Sequence, residues 1–317
     1  MINVNDLKIA TIIDNTAAKP SMMAEWGLSI FIDTGEKKIL FDTGAGNSNV
    51  LLHNLRASNI NVTDIDAIVL SHGHQDHTGG LRAFLEEYHF NAPDKELEII
   101  CHPAAMEPQY VKNIGSFGCP FTKEELIRFG ARFKFIKEHY YITKDIIVSG
   151  EIPLTNEYET TGKSFFRECS NVFGIGKDVI DSKELGFNPA GNQFVQDLEV
   201  IDDMGLFLKT DLGVIVISGC AHRGIINTVR HAMNIAKQKD IYMVIGGTHT
   251  AGVSEERMEF TVDEIKDIGI KKVGVSHCTG QVAACILSKE LGKQIFFHNN
   301  AGSVIKFANN EFTTNEF

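Results

Sequence analysis

Ser71-His-Gly-His-Gln-Asp-His-Thr-Gly-Gly80 follows the apolar run Ile65-Asp-Ala-Ile-Val-Leu70. A short β-branched run bounded by polar residues reads as a strand, here Ile65–Ser71. The loop leaving it carries three imidazoles and one carboxylate, His72, His74, Asp76 and His77, within six positions. Neutral imidazole and carboxylate are the donors that suit Zn²⁺, Mn²⁺ or Fe²⁺. Alternate side chains of an extended loop share a side, so His72 and His74 can face one ion. Asp76 and His77, around the bend, can then address a second. The glycines at 73, 79 and 80 are read as places where the backbone turns without steric cost. With 12 histidines in 317 residues, this density beside an aspartate is hard to assign to a solvated polar loop.

Outward from this loop the first quarter reads as strands at Leu7–Asp14, Gly27–Asp33 and Lys38–Asp42, with a helix at Asn47–Ser58. A second strand-rich set begins near Ile146 and includes Gly205–Thr210, Gly213–Ser218, Ile241–Ile245 and Lys272–Ser276. Helical patterns at Gly224–Lys239 and Ser254–Ile268 separate its later strands. Strand meanders with single helices, none beside another, suggest an α+β fold: two sheets face to face with helices outside, a four-layer α/β/β/α sandwich. Three of these strands end in a small-residue turn and a histidine: Ser218-Gly-Cys-Ala-His222, Gly246-Gly-Thr-His249 and Ser276-His277. Strand ends line up on one edge of a sheet, so all three can converge on the His72–His77 loop. His53, His89, His102, His139, His231 and His298 lack that context and are left out.

The chain is expected to form one domain over residues 1–317. An irregular cap or lid is expected at about 90–203, where Pro103, Pro108, Pro120, Pro153 and Pro189 fall and the polar run Thr160–Gly191 shows no period. A net charge of −11 argues against a general nucleic-acid surface. No apolar run approaches the roughly 18 residues of a membrane helix. The N-terminus has no signal-peptide pattern, and the six scattered cysteines contain no CxxC pair. A cytoplasmic enzyme with reduced thiols and a small-molecule substrate is the expectation, its oligomeric state unread.

The loop motif is HxHxDH, and through it the chain resembles the metallo-β-lactamase superfamily. Phe41-Asp-Thr-Gly44 is similar to that superfamily's first motif, which implies that Asp42 orients a metal-binding histidine. Gly219-Cys-Ala-His222, Gly246-Gly-Thr-His249 and Ser276-His-Cys-Thr-Gly280 resemble a subgroup of metal-dependent hydrolases and of dihydropterin-linked ribofuranosylaminobenzene 5′-phosphate synthases. Glu25-Trp-Gly-Leu-Ser29 and Ser149-Gly-Glu-Ile-Pro153 point the same way. Two departures stand out. The segment Ile146–Pro153 lacks the histidine many members carry there, and Cys220 stands where a bridging aspartate is usual.

Together these imply two divalent cations, Zn²⁺ before Mn²⁺ or Fe²⁺. His72, His74 and His222 are assigned to one, and Asp76, His77 and His277 to the other. Cys220 is read as a packed thiol with thiolate ligation as the alternative, and His249 as general acid, outer support or ligand. Hydrolysis by metal-activated water follows, with Asp76 and His249 as the residues of the chemistry. A phosphate ester, or a related small ester, pterin-linked as the resemblance implies, would meet cations, with Arg167 and Arg223 as candidates beside Tyr110 and Lys163-Ser-Phe-Phe-Arg167. The rival readings are a non-haem iron redox enzyme and a catalytically silent metal-binding protein.

Overall fold

A computed structural model of the chain describes residues 1–47, 49–168, 179–181, 193–197 and 199–314. Among them, one sheet has eight strands in the order Glu311–Thr314, Val304–Ala308, Lys8–Ile13, Ser29–Asp33, Lys38–Phe41, Ala67–Val69, Leu97–Cys101 and Ala131–Phe135. A second has seven, in the order Phe296–His298, Lys272–Val275, Ile241–Gly246, Gly213–Ser218, Gly205–Thr210, Ile146–Val148 and Tyr140–Thr143.

Side chains alternate across a strand, and here the alternation decides the packing. Ile30, Ile32, Ile39 and Phe41 of the first sheet share one buried cluster with Leu206, Leu208, Ile215 and Ile217 of the second. Phe31, Leu40 and Ile68 point the other way, onto Leu51, Leu55, Leu81, Phe84 and Leu85 of helices Val50–Ala57 and Leu81–Asn91. Phe207, Val214 and Val216 likewise point onto helices Ile225–Ala236, Glu255–Ile268 and Gln281–Leu291. The sheets therefore pack face to face, each with helices on its outer face. No helix of the described residues is long and apolar enough to cross a membrane.

The structure corrects several expectations. The strand before the metal loop is only Ala67–Val69, preceded by a 3-10 turn at Val62–Asp64. Helices do adjoin one another, since Gln75–Thr78 runs almost directly into Leu81–Asn91. The stretch from 90 to 203 is not all irregular: Leu97–Cys101 and Ala131–Phe135 belong to the first sheet, Tyr140–Thr143 and Ile146–Val148 to the second. Ala131–Phe135 pairs with Leu97–Cys101 and Ile146–Val148 with Gly205–Thr210, partners more than about 30 positions away that no local period reveals. What stands apart is a small five-stranded sheet in the order Val179–Asp181, Gln193–Gln196, Phe165–Glu168, Gln109–Val111 and Gly115–Ser116. Much of the run Thr160–Gly191, Cys169 included, lies outside the described residues.

Candidate metal centre

Asp42, at the end of strand Lys38–Phe41, is fully buried and organises the loop. Its Oδ1 accepts from the Ser71 amide at 2.7 Å, and its Oδ2 accepts from Ser71 Oγ and from His77 Nδ1, each at 2.7 Å. Ser71 has one hydroxyl proton and spends it on Asp42. The 2.9 Å contact between Ser71 Oγ and His72 Nδ1 is therefore donated by the imidazole. One carboxylate thus fixes both ring orientations, turning Nε2 of His72 and of His77 inward.

The outcome is a cluster of ring nitrogens. His72 Nε2 lies 2.9 Å from His74 Nδ1 and 3.2 Å from His222 Nε2. His74 ends the extended segment and opens the single turn Gln75–Thr78, which swings Asp76 and His77 to the other side. Asp76 Oδ2 stands 3.2 Å from His277 Nε2, and its Oδ1 3.9 Å from His77 Nε2. His277 donates from Nδ1 to Asn15 Oδ1 at 2.9 Å and from its amide to Asp14 Oδ1 at 2.7 Å. Two ligand sets result, His72 with His74 and His222, and Asp76 with His77 and His277. Within each, the donor atoms lie within 4.8 Å of one another.

The donor chemistry fits divalent cations. Burial pushes His72 and His222 well below the usual imidazole range and His74 down to about 4, with the neighbouring imidazoles adding to the effect on His72 and His222. These are neutral rings, the metal-binding form. Burial opposes charge on Asp76 as well, but His77 and the hydrogen bond from His277 outweigh it and hold the carboxyl below its ordinary value. Burial likewise lowers His77, yet Asp42 and Asp76 lift it to about 9. The second set therefore attracts positive charge, and Asp76 Oδ1 is buried without a hydrogen-bond partner.

Cys220 Sγ lies 3.1 Å from His77 Nε2 and forms a further convergent group with His72 and His77. Burial and the adjacent Cys278 push the Cys220 thiol up. Cys278, not anticipated from sequence, joins Cys220 and His277 in another such group. His249 belongs to none of these groups. Its ring centre is 4.3 Å from that of His222, and burial followed by the charge of Arg257 brings it down to about 4. An imidazole neutral at pH 7 does not carry the extra proton that a general acid gives up, which counts against the acid role. His102, omitted above, instead caps the 3-10 turn Pro103–Met106 and meets Glu151 at 3.1 Å.

Several of the site's backbone positions are strained. Asp42, Ala221, His249 and His277 have φ of 61°, 54°, 48° and 49°, and a non-glycine residue there costs of order 1–3 kcal/mol. The loop glycines work differently from expectation. Gly79 and Gly80 have negative φ, −64° and −81°. A Cβ at Gly73 would stand 2.4 Å from Ala105 O, and one at Gly79 2.1 Å from Ala45 O. Close backbone approach, not turning, excludes side chains there.

The two arginines proposed for substrate are committed elsewhere. Arg167 donates to Asp202 and Asp197, each at 2.5 Å, and to Ala104 O at 3.0 Å. Arg223 donates to Ile152 O and, at 3.0 Å, to Glu199 O. A buried guanidinium needs such partners, so neither is free for an anion. Aromatic rings border the cluster instead: Phe165 stacks on His74 at 5.0 Å and 22°, and Trp26, 63% exposed, meets His277 edge-on at 5.4 Å.

Comparison with known proteins agrees with this geometry. The family model of the metallo-β-lactamase superfamily matches residues 27–93. The 7,8-dihydropterin-6-methyl-4-(β-D-ribofuranosyl)-aminobenzene-5′-phosphate synthase of Methanocaldococcus jannaschii is 32% identical, covering 96% of this chain and 98% of its own. An uncharacterised protein of the same organism is 35% identical over 94% of this chain and 99% of its own. A solved metal-dependent hydrolase of the β-lactamase superfamily superposes with a TM-score of 0.72 at 26% identity, covering 96% of this chain and all of that one. The two packed sheets, the HxHxDH loop at their edge and relatedness over nearly the whole length lead to one conclusion: the chain belongs to the metallo-β-lactamase superfamily.

Proposed function

We propose that the chain is a metal-dependent hydrolase acting in the cytoplasm on a phosphate ester or related small-molecule ester, with a pterin-linked substrate foremost. The observation that carries this reading is the pair of convergent ligand sets within one buried cluster of side chains. His72, His74 and His222 would hold one divalent cation and Asp76, His77 and His277 another, Zn²⁺ ahead of Mn²⁺ or Fe²⁺. When bound, such ions supply Lewis-acid activation of the ester and of the attacking water. Asp76 and Asp42 offset the added positive charge. His249, neutral, donates a hydrogen bond toward the leaving oxygen. Arg257 donates from one terminal nitrogen to Thr160 O at 2.9 Å but keeps its buried Nε without a partner among the described residues; its charge bears on His249, and it is the cation for an anionic group. Trp26 and Phe165 offer apolar ring faces to a planar substrate, and the small sheet covers the pocket as a cap.

A second reading has its own support, because the relative that shares 32% identity over nearly the whole chain is named a synthase. The same pocket would then build a dihydropterin-linked aminobenzene phosphate. One experiment separates the two. Chelator-stripped protein is reloaded with Zn²⁺, Mn²⁺ or Fe²⁺ and offered activated phosphomonoesters, phosphodiesters and carboxylic esters, and separately the precursors of that compound. Ester hydrolysis that vanishes on chelation and returns with metal supports the hydrolase. Product formation from the precursors without hydrolysis of any ester overturns it in favour of the synthase.

A further inference from the structure

Gly73, between the ligands His72 and His74, donates its amide to Asp202 Oδ2 at 2.8 Å across 129 positions of sequence. Asp202 is completely buried. The same oxygen accepts from Gln109 Nε2 at 2.8 Å, and Oδ1 accepts from Arg167 at 2.5 Å. Gln109 and Arg167 are direct cross-strand partners in the small sheet, so their side chains leave the same face. Phe165, two residues before Arg167, shares that face and stacks on the ring of His74. One face of two paired strands thus grips the His72-Gly73-His74 segment twice, through its backbone by way of Asp202 and through an imidazole by way of Phe165.

Gly73 is shaped for this grip, since a Cβ there would stand 2.6 Å from Gln109 Nε2 as well as meeting Ala105. The first ligand set also needs it. His77 and His277 have hydrogen-bond partners on their outer nitrogens, but His222 Nδ1 is buried with none. His74 presents Nδ1 to the cluster, so its placement rests on backbone and ring packing.

We propose that Asp202, held by Arg167 and Gln109, is a positioning residue for His72 and His74, so that the small sheet is part of the first ion's site as well as its cover. The proposal rests on the metal-centre reading above. Its test uses the full chain in a His277→Ala background, which leaves the first ligand set alone. Zn²⁺ affinity is measured by competition with a chromophoric chelator, and thermal stability is measured on the ion-free protein. Asp202→Asn is expected to lower Zn²⁺ affinity about 10- to 100-fold, the range for residues that orient metal ligands. Asp197→Asn, which touches Arg167 but not Gly73, should leave it unchanged. A merely structural role would lower ion-free stability without moving Zn²⁺ affinity, and that result in Asp202→Asn overturns the proposal. Gln109→Leu removes one donor and leaves the charge pair, so it serves if Asp202→Asn does not fold. Reduced Zn²⁺ affinity in it supports the proposal and unchanged affinity overturns it. His74→Ala separates the two levels. Undiminished Zn²⁺ affinity there overturns the metal centre itself, whereas loss there with none in Asp202→Asn overturns only the positioning role.

Discussion

The two ligand sets lie side by side but are built on different physics. The first is three neutral imidazoles, kept uncharged by burial and placed by packing and by a backbone hydrogen bond to Asp202. The second mixes a carboxylate, an imidazole lifted to about 9 and a third ring tied to Asn15, with a thiol 3.1 Å from His77. Neutral preformed donors bind a cation without first losing a proton. A charged set attracts it over distance but must release the proton on His77. One edge of the fold can thus offer two ions sites of unlike proton demand.

The largest effect is expected from His74→Ala, which removes a donor of the first set. Its Zn²⁺ affinity should fall by more than about 100-fold, beyond the range for outer partners, and esterase activity should fall with it. His231→Ala, whose ring meets Ser149 O at 3.1 Å and the Phe207 ring edge-on and belongs to neither ligand set, should keep both. Metal content after gel filtration reads the difference. Next comes Asp42→Asn. Because Asp42 fixes His77 directly and His72 through Ser71, both ions should weaken by about 10- to 100-fold. Asn15→Ala should weaken only the ion of the second set, by about 10-fold. If Asn15→Ala disturbs both ions, the two sets are not separable units.

The pH dependence sharpens the contrast further. His77 must give up a proton to ligate through Nε2, so affinity for the second ion should rise about tenfold per pH unit from pH 7 toward about 9. The first set, with His74 down at about 4, is neutral throughout that window and its affinity should stay flat. Titration calorimetry in buffers of different ionisation enthalpy counts the protons released. The smallest effect is expected at Cys220→Asp, where a hard anionic oxygen replaces a thiol that burial keeps protonated. Second-ion affinity should rise several-fold, and a fall would identify Cys220 as a thiolate ligand in the native protein.

What was legible in the sequence was what is local. Histidines and an aspartate on one loop, and histidines that end strands, are features of adjacent residues, and the structure brings His72, His74, Asp76, His77, His222 and His277 together. Asn15 also lies just past a strand, two positions after Lys8–Ile13, and the same strand-end signal could have flagged it. Helix Leu81–Asn91 carries its buried Leu81, Phe84, Leu85 and Tyr88 at helical spacing and was equally open to reading. Asp202 and Phe165 were not, because their roles depend on partners about 90 to 130 positions away. Arg167, read from the irregular insertion, and Arg223, read from its place beside His222, misled because neither position says which carboxylates or carbonyls a cation meets once buried.

The proposed centre holds two divalent cations on two distinct sets of residues. Its most direct test is Zn²⁺ titration of chelator-stripped protein and of its His74→Ala and His277→Ala variants, read as ions bound per chain. Two ions are expected in the native chain and one in each variant, with proton release at pH 7 retained in His74→Ala and lost in His277→Ala. A single ion in the native chain, or loss of the same ion in both variants, would contradict it.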